Sequence, residues 1–189
     1  MRIARRSLLL TAALAAPLAA AAPPAAGPDL AALIECRAEI SDFLSAEPMA
    51  KDPAQAAALG WQPLPQKNMF MREFKLASPI RVFGHATDQI AFYSDNIMAI
   101  VDVPDPRPLA RELQLETGID TPDKAIFGKE VRSTQTFDEK TGATLIQSII
   151  LNVSNVGSHP GKTLVGCTYN LDTEGPEPPT PTAPTVDAR

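Results

Sequence analysis

The sequence predicts an α+β fold: an antiparallel sheet of about six to seven strands, with an N-terminal helix and short helices packed on one face. Four observations carry that expectation. Thr144–Ser154 is rich in β-branched and apolar residues, with no Gly or Pro inside. Lys162–Leu171 alternates: Thr163, Val165, Cys167, Tyr169 and Leu171 share one face, and Leu164, Gly166, Thr168 and Asn170 the other. That is the pattern of a half-buried strand. The turn formers of Asn155–Gly161 join the two as a hairpin. Finally, Leu33, Cys36, Ile40, Phe43 and Leu44 recur at helical spacing.

The chain opens on an address. Arg2, Arg5 and Arg6 precede the apolar run Leu8–Ala16, and small residues follow near Ala19 to Ala22. This is the order of a secretory signal peptide, so residues 1–22 are set apart from the fold. The apolar run is short of the roughly 20 residues a bilayer crossing needs. Residues 23–28 read as a flexible leader. The first helix then runs from Asp29 to about Ser45, with Pro48 ending the element. Asp52-Pro53 has the form of an N-cap with proline at the first helical position, so a short helix reaches toward Gly60. Trp61 follows in a proline-bounded linker and reads as a core plug.

A block of strands comes next. Met69–Leu76 alternates, with Phe70, Phe74 and Leu76 on one face; Pro79 interrupts, and Ile80–Phe83 resumes. Gly84–Thr87 reads as a turn. Gln89–Tyr93 and Ile97–Val103 are two strands joined through Ser94-Asp95-Asn96. Pro108 starts a short helix through Glu116, with Leu109 and Leu113 inward and Gly118 at its end. Phe127–Phe137 is a strand, and Asp138–Gly142 turns it into Thr144–Ser154. The single α+β domain thus covers residues 29–172. Residues 173–189 are dominated by Pro, Thr and Glu, and read as a disordered tail that buries too little to offset the entropy of ordering.

Charge narrows the function. The whole chain has 17 Lys and Arg against 22 Asp and Glu. Without residues 1–22 the basic count falls to 14, for a net charge near −8. No basic run exists for nucleic acid to grip, and anionic membranes are disfavoured. No stable membrane insertion is expected after signal removal. An exported chain with two cysteines predicts a disulfide. Cys36 sits on the apolar helix face and Cys167 on the strand face with Val165 and Tyr169, so a helix crossing the sheet pairs them. The bond closes almost the whole domain, worth about 5 kcal/mol in the chain-entropy treatment.

Candidate chemistry is thin. Gly157–Thr163 resembles a phosphate-binding loop, but that pattern needs glycine where Val156 stands, and it must lead into a helix. Ser158, His159 and Lys162 are the loop residues most able to do chemistry. Ser158-His159 could supply a nucleophile and base only with an orienting carboxylate and an oxyanion site. The two histidines and two paired cysteines compose no zinc set, and the sequence assigns no cofactor and no metal. Met69 and Met71 flank Phe70, where either an exposed sticky face or ordinary packing is possible. The expectation is a periplasmic or extracellular bacterial domain that binds another envelope or extracellular protein, as inhibitor, assembly factor or interaction module. The alternative is a small hydrolase or isomerase, or an apolar-ligand carrier, with a pocket on the sheet face.

Overall fold

The computed structural model describes residues 27–140 and 142–174. The expected signal peptide, most of the leader and the tail beyond Glu174 lie outside the described residues. The element order is α1 (Leu30–Ile34), α2 (Ile40–Lys51), α3 (Pro53–Ala58), β1 (Trp61–Pro63), β2 (Arg72–Val82), β3 (His85–Tyr93), β4 (Asn96–Val101), α4 (Pro106–Glu112), β5 (Glu116–Asp120), β6 (Ala125–Asp138), β7 (Ala143–Ser154) and β8 (Thr163–Glu174). The strands form one antiparallel sheet in the order β1-β2-β3-β4-β8-β7-β6-β5. β8 is therefore central: it closes the chain back between β4 and β7.

Eight strands replace the six to seven expected. The two additional ones, β1 and β5, sit at the ends of the strand order and are short. β1 contains Pro63, and β5 is exposed along its whole length. Neither carries the alternating burial that makes a strand visible in sequence. Pro79 does not split β2; Lys75 pairs Gln89 and Ile80 pairs Thr87, so the extra residues between them bulge out. The turn into β3 is tighter than expected. It consists of Phe83 and Gly84, both at positive φ, and His85 already pairs with Val82.

The single helix expected over Asp29–Ser45 is two. α1 ends in a Schellman motif: Cys36 N–H donates to Leu33 O and Arg37 N–H to Ala32 O, with Cys36 at φ 57°. Glycine normally holds that left-handed position, so a cysteine there hides the stop. α2 restarts where the Asp42 carboxylate accepts the Glu39 backbone N–H at 2.9 Å. It runs through Pro48, which is exposed and lies in its final turn, rather than ending before it. Leu44, assigned above to the buried face, is 50 % exposed. α4 begins earlier than expected, because Asp105 caps it and Pro106 takes the first position. It ends at Glu112, and Gly118 belongs to β5.

The main core lies between the helices and one sheet face. Buried residues of all four helices join one cluster with Phe74, Phe92, Ile97, Leu151 and Val165. Trp61 is buried there, its ring 5.8 Å from those of Phe74 and Phe92. Two bonds stitch α1 to β8. Cys36 and Cys167 form the predicted disulfide, with Cα atoms 5.4 Å apart at a sequence separation of 131. Two residues on, Tyr169 Oη donates to Leu33 O at 2.7 Å, and its ring stacks on Phe43 at 5.0 Å. Leu171, expected on the same buried face, is exposed, as is most of β8 beyond Tyr169.

The opposite sheet face carries a second, smaller core of Met71, Ala91, Met98, Ile100 and Leu164, packed with Tyr93 and Val156. Gly166 makes room for it. A β-carbon there would overlap the Ile97 carbonyl oxygen and come within 2.7 Å of Met98 Cα. Two loops close on this face, the approach to β2 (residues 64–71) and the β7–β8 connection (residues 155–162).

Candidate functional site

The candidate site is built on this second face, and it has two parts. The first contains the loop residues singled out above. His159 is 4 % exposed, and its imidazole stands between two partners. Nδ1 is 3.0 Å from Ser158 Oγ, and Nε2 is 3.0 Å from Oε2 of Glu73, a buried residue on β2. The register of β2 explains the meeting. Glu73 pairs with Ala91, so its side chain shares the face of the second core. The β7–β8 loop folds down over that face. The backbone turns there as His159 N–H donates to Val156 O and Lys162 N–H to His159 O. With the imidazole neutral, Nε2–H donates to the carboxylate and Ser158 O–H donates to Nδ1. The second carboxylate oxygen, Glu73 Oε1, is buried without a hydrogen-bond partner.

Lys162 does not join this chain. Its ammonium pairs with Asp102, on a side chain that is 84 % exposed. An ion pair so open to water orders the surface and adds little energy. The sequence places Ser158 beside His159 but carries no mark of Glu73 as their third partner. Glu73 lies 86 positions before His159, in a run that reads simply as alternating strand.

The second part is a cleft of about 410 Å³ lined mainly by apolar surface. Met71, Tyr93, Ile126, Val156 and Leu164 contribute to its walls. A polar chain crosses its floor from β7 to β4. Asn152 Nδ2 donates to Thr168 Oγ1 at 2.8 Å, Thr168 donates to Asn96 Oδ1, and Asn96 Nδ2 donates to Asp95 at 2.9 Å. Each member is held by the next, so these groups are oriented before anything binds. Burial, and then the Asp95 charge, holds the Tyr93 hydroxyl above the usual tyrosine range. The strand asparagines were the available sequence signal, since Asn is depleted in strands unless its side chain has a partner.

One rim of the cleft is the loop before β2. Met69 and Phe70 are 79 % and 76 % exposed, so Phe70 does not share the buried face of Phe74 and Leu76 as expected. They are not loosely placed. Asn68 Oδ1 accepts the Phe70 N–H at 3.0 Å, Met71 N–H donates to Asn68 O, and Gln66 Nε2 donates to Met69 O at 3.0 Å. This Asx-type turn tucks Met71 into the second core and holds Phe70 outward. Of the two outcomes weighed for Met69 and Met71, each residue takes one.

Among the described residues no group of His, Cys, Asp and Glu could hold a metal ion, and no helix is long and apolar enough to cross a membrane. Comparison of the chain with family models, with curated proteins and with solved structures finds no match.

Proposed function

We propose that this chain is an exported domain that binds another macromolecule of the bacterial envelope, and that the second-face cleft with its Met69–Phe70 rim is the binding site. The single observation that carries the reading is Phe70. A large ring held 76 % exposed by a hydrogen-bonded turn, beside an apolar cleft, forgoes burial that the fold could otherwise use. Aromatic side chains of this kind anchor protein interfaces, where a partner's burial of the ring supplies the energy. The Asn96–Thr168–Asn152 chain supplies the fixed polar groups that orient a partner. The Cys36–Cys167 disulfide supports export, because such bonds persist in oxidising compartments. Binding to a purified partner tests the reading: Phe70→Ala with Met69→Ala weakens it tenfold or more while the fold persists. An unchanged dissociation constant refutes the site.

A second reading is favoured by the Ser158–His159–Glu73 chain. It has the composition of an acyl-transfer relay, with Ser158 Oγ as nucleophile, His159 as base and Glu73 as orienting carboxylate. Labelling of Ser158 by a fluorophosphonate, lost in His159→Ala, would establish it; absence of labelling leaves the chain as a structural latch. The cleft volume also lies within the range of small-ligand sites, so a bound apolar ligand is the corresponding test of the carrier alternative.

A further inference from the structure

The outer side of β6 is only partly covered. β5 pairs with it along Ala125–Gly128, and from Lys129 to Phe137 β6 is the rim of the described sheet. Sheet rims present unpaired backbone N–H and C=O groups, and natural proteins guard them with charge, proline or a bulge. Here a bulge at Val131, between Glu130 and Arg132, guards one end. The stretch Ser133-Thr134-Gln135-Thr136-Phe137 has no charge, no Pro and no Gly, and Phe137 is 61 % exposed.

We propose that this rim pairs antiparallel with the same rim of a second copy of the chain, about a two-fold axis through Gln135. The argument is charge complementarity. Pairing with β7 places Arg132, Thr134, Thr136 and Asp138 on the helix-bearing face and Ser133, Gln135 and Phe137 on the other. A two-fold axis perpendicular to the sheet keeps those faces, so the axis must pass through a residue. Centred on Gln135, it sets Arg132 opposite Asp138 of the second copy, and Asp138 opposite the second Arg132. Thr134 meets Thr136, and Phe137 covers Ser133. Moving the centre to Thr134 carries Asp138 toward Glu130; moving it to Thr136 carries Arg132 toward Lys140. Both neighbouring registers bring like charges together, which destabilises cross-strand pairs. Arg132 already pairs with Glu39 of its own chain, and its five N–H donors suffice for two carboxylates; Asp138 Oδ1 accepts the Lys140 N–H at 2.9 Å, and its two oxygens have acceptor sites for a guanidinium as well. The contact is isologous and closes on two copies.

Sedimentation velocity of the purified, disulfide-bonded chain over a concentration series tests this. The expected result is a reversible monomer–dimer equilibrium that weakens at high salt, because surface charges are screened. Gln135→Lys sets two ammonium groups across the axis and raises the dissociation constant tenfold or more. Asp138→Arg does the same, and Arg132→Asp with Asp138→Arg together restore most of the association. Circular dichroism confirms the fold of each variant. If Asp138→Arg fails to fold, Gln135→Lys still decides. A chain that stays monomeric up to about 1 mM overturns the proposal, whether the rim is bare or covered by the chain's own tail. A dimer that ignores both Gln135→Lys and the charge exchange also overturns it.

Discussion

His159 Nε2 lies 3.0 Å from Glu73 Oε2, joining the β7–β8 loop to β2 inside the second core. The pair ties that loop to the first half of the sheet's strands from within the core, whereas the Lys162–Asp102 pair does so only at the exposed surface. Removing one member leaves the other buried without a partner, which costs about 1–3 kcal/mol. Glu73→Ala is therefore expected to lower the melting temperature and to speed hydrogen exchange in residues 155–162. Glu73→Gln, whose amide oxygen still accepts from Nε2–H, retains more stability. Equal loss in both variants would show that the hydrogen bond is not what holds the loop.

The Tyr169–Leu33 bond makes a pH prediction. Burial holds the Tyr169 hydroxyl far above its ordinary value of 10.0. A group whose folded value is raised contributes stability fully present below the unfolded value, and loses it as pH rises past that point. Unfolding free energy should fall once the solution passes about pH 10. Tyr93, raised for the same first cause, adds to the slope. Tyr169→Phe should reduce the slope and, at neutral pH, cost about 1 kcal/mol for the lost hydrogen bond, the Leu33 carbonyl keeping only the Cys36 N–H. A slope unchanged in that variant would assign the effect elsewhere.

The disulfide has a separate signature. Its loss releases a closed loop spanning 131 residues, worth up to about 5 kcal/mol in chain entropy. That approaches the whole stability of many small domains. Reduction, or Cys36→Ser with Cys167→Ser, should unfold the chain at markedly lower denaturant. An unaltered midpoint would mean that the reduced chain keeps the same constraint by packing alone.

Gly166→Ala should cost about 3 kcal/mol, because the added methyl meets backbone at Ile97 and Met98 rather than a side chain that can turn away. Calorimetry of the variant checks this. A near-neutral change would mean β4 and β8 separate more easily than their pairing implies.

Much of the central fold was legible because its signals are periodic. β7 and β8 show in their β-branched run and strict alternation; the Cys36–Cys167 pairing is expected from a helix face meeting a strand face, and it forms although Cys36 sits in the break between α1 and α2. What escaped has local causes. The Schellman stop rests on a cysteine at a position usually marked by glycine. The edge strands β1 and β5 are too short, and β5 too exposed, to alternate. Phe70 and Phe74 look alike in sequence, yet an Asx turn at Asn68 separates their fates. Of the candidate site, Ser158 and His159 could be named because their residue types carry chemistry. Glu73 could not, since nothing local shows that a loop far along the chain folds onto β2. Lys162 was named for its neighbours and stands apart from them, paired with Asp102.

The most direct test of the binding role is photo-cross-linking at position 70 in the cell of origin, with benzoyl-phenylalanine replacing Phe70. Glu112, exposed at the end of α4 on the helix-bearing side, serves as the control position. The proposed function predicts a discrete protein adduct from position 70, absent from position 112 and identified by mass spectrometry as an envelope protein. No adduct from position 70, or the same diffuse products from both positions, would contradict it.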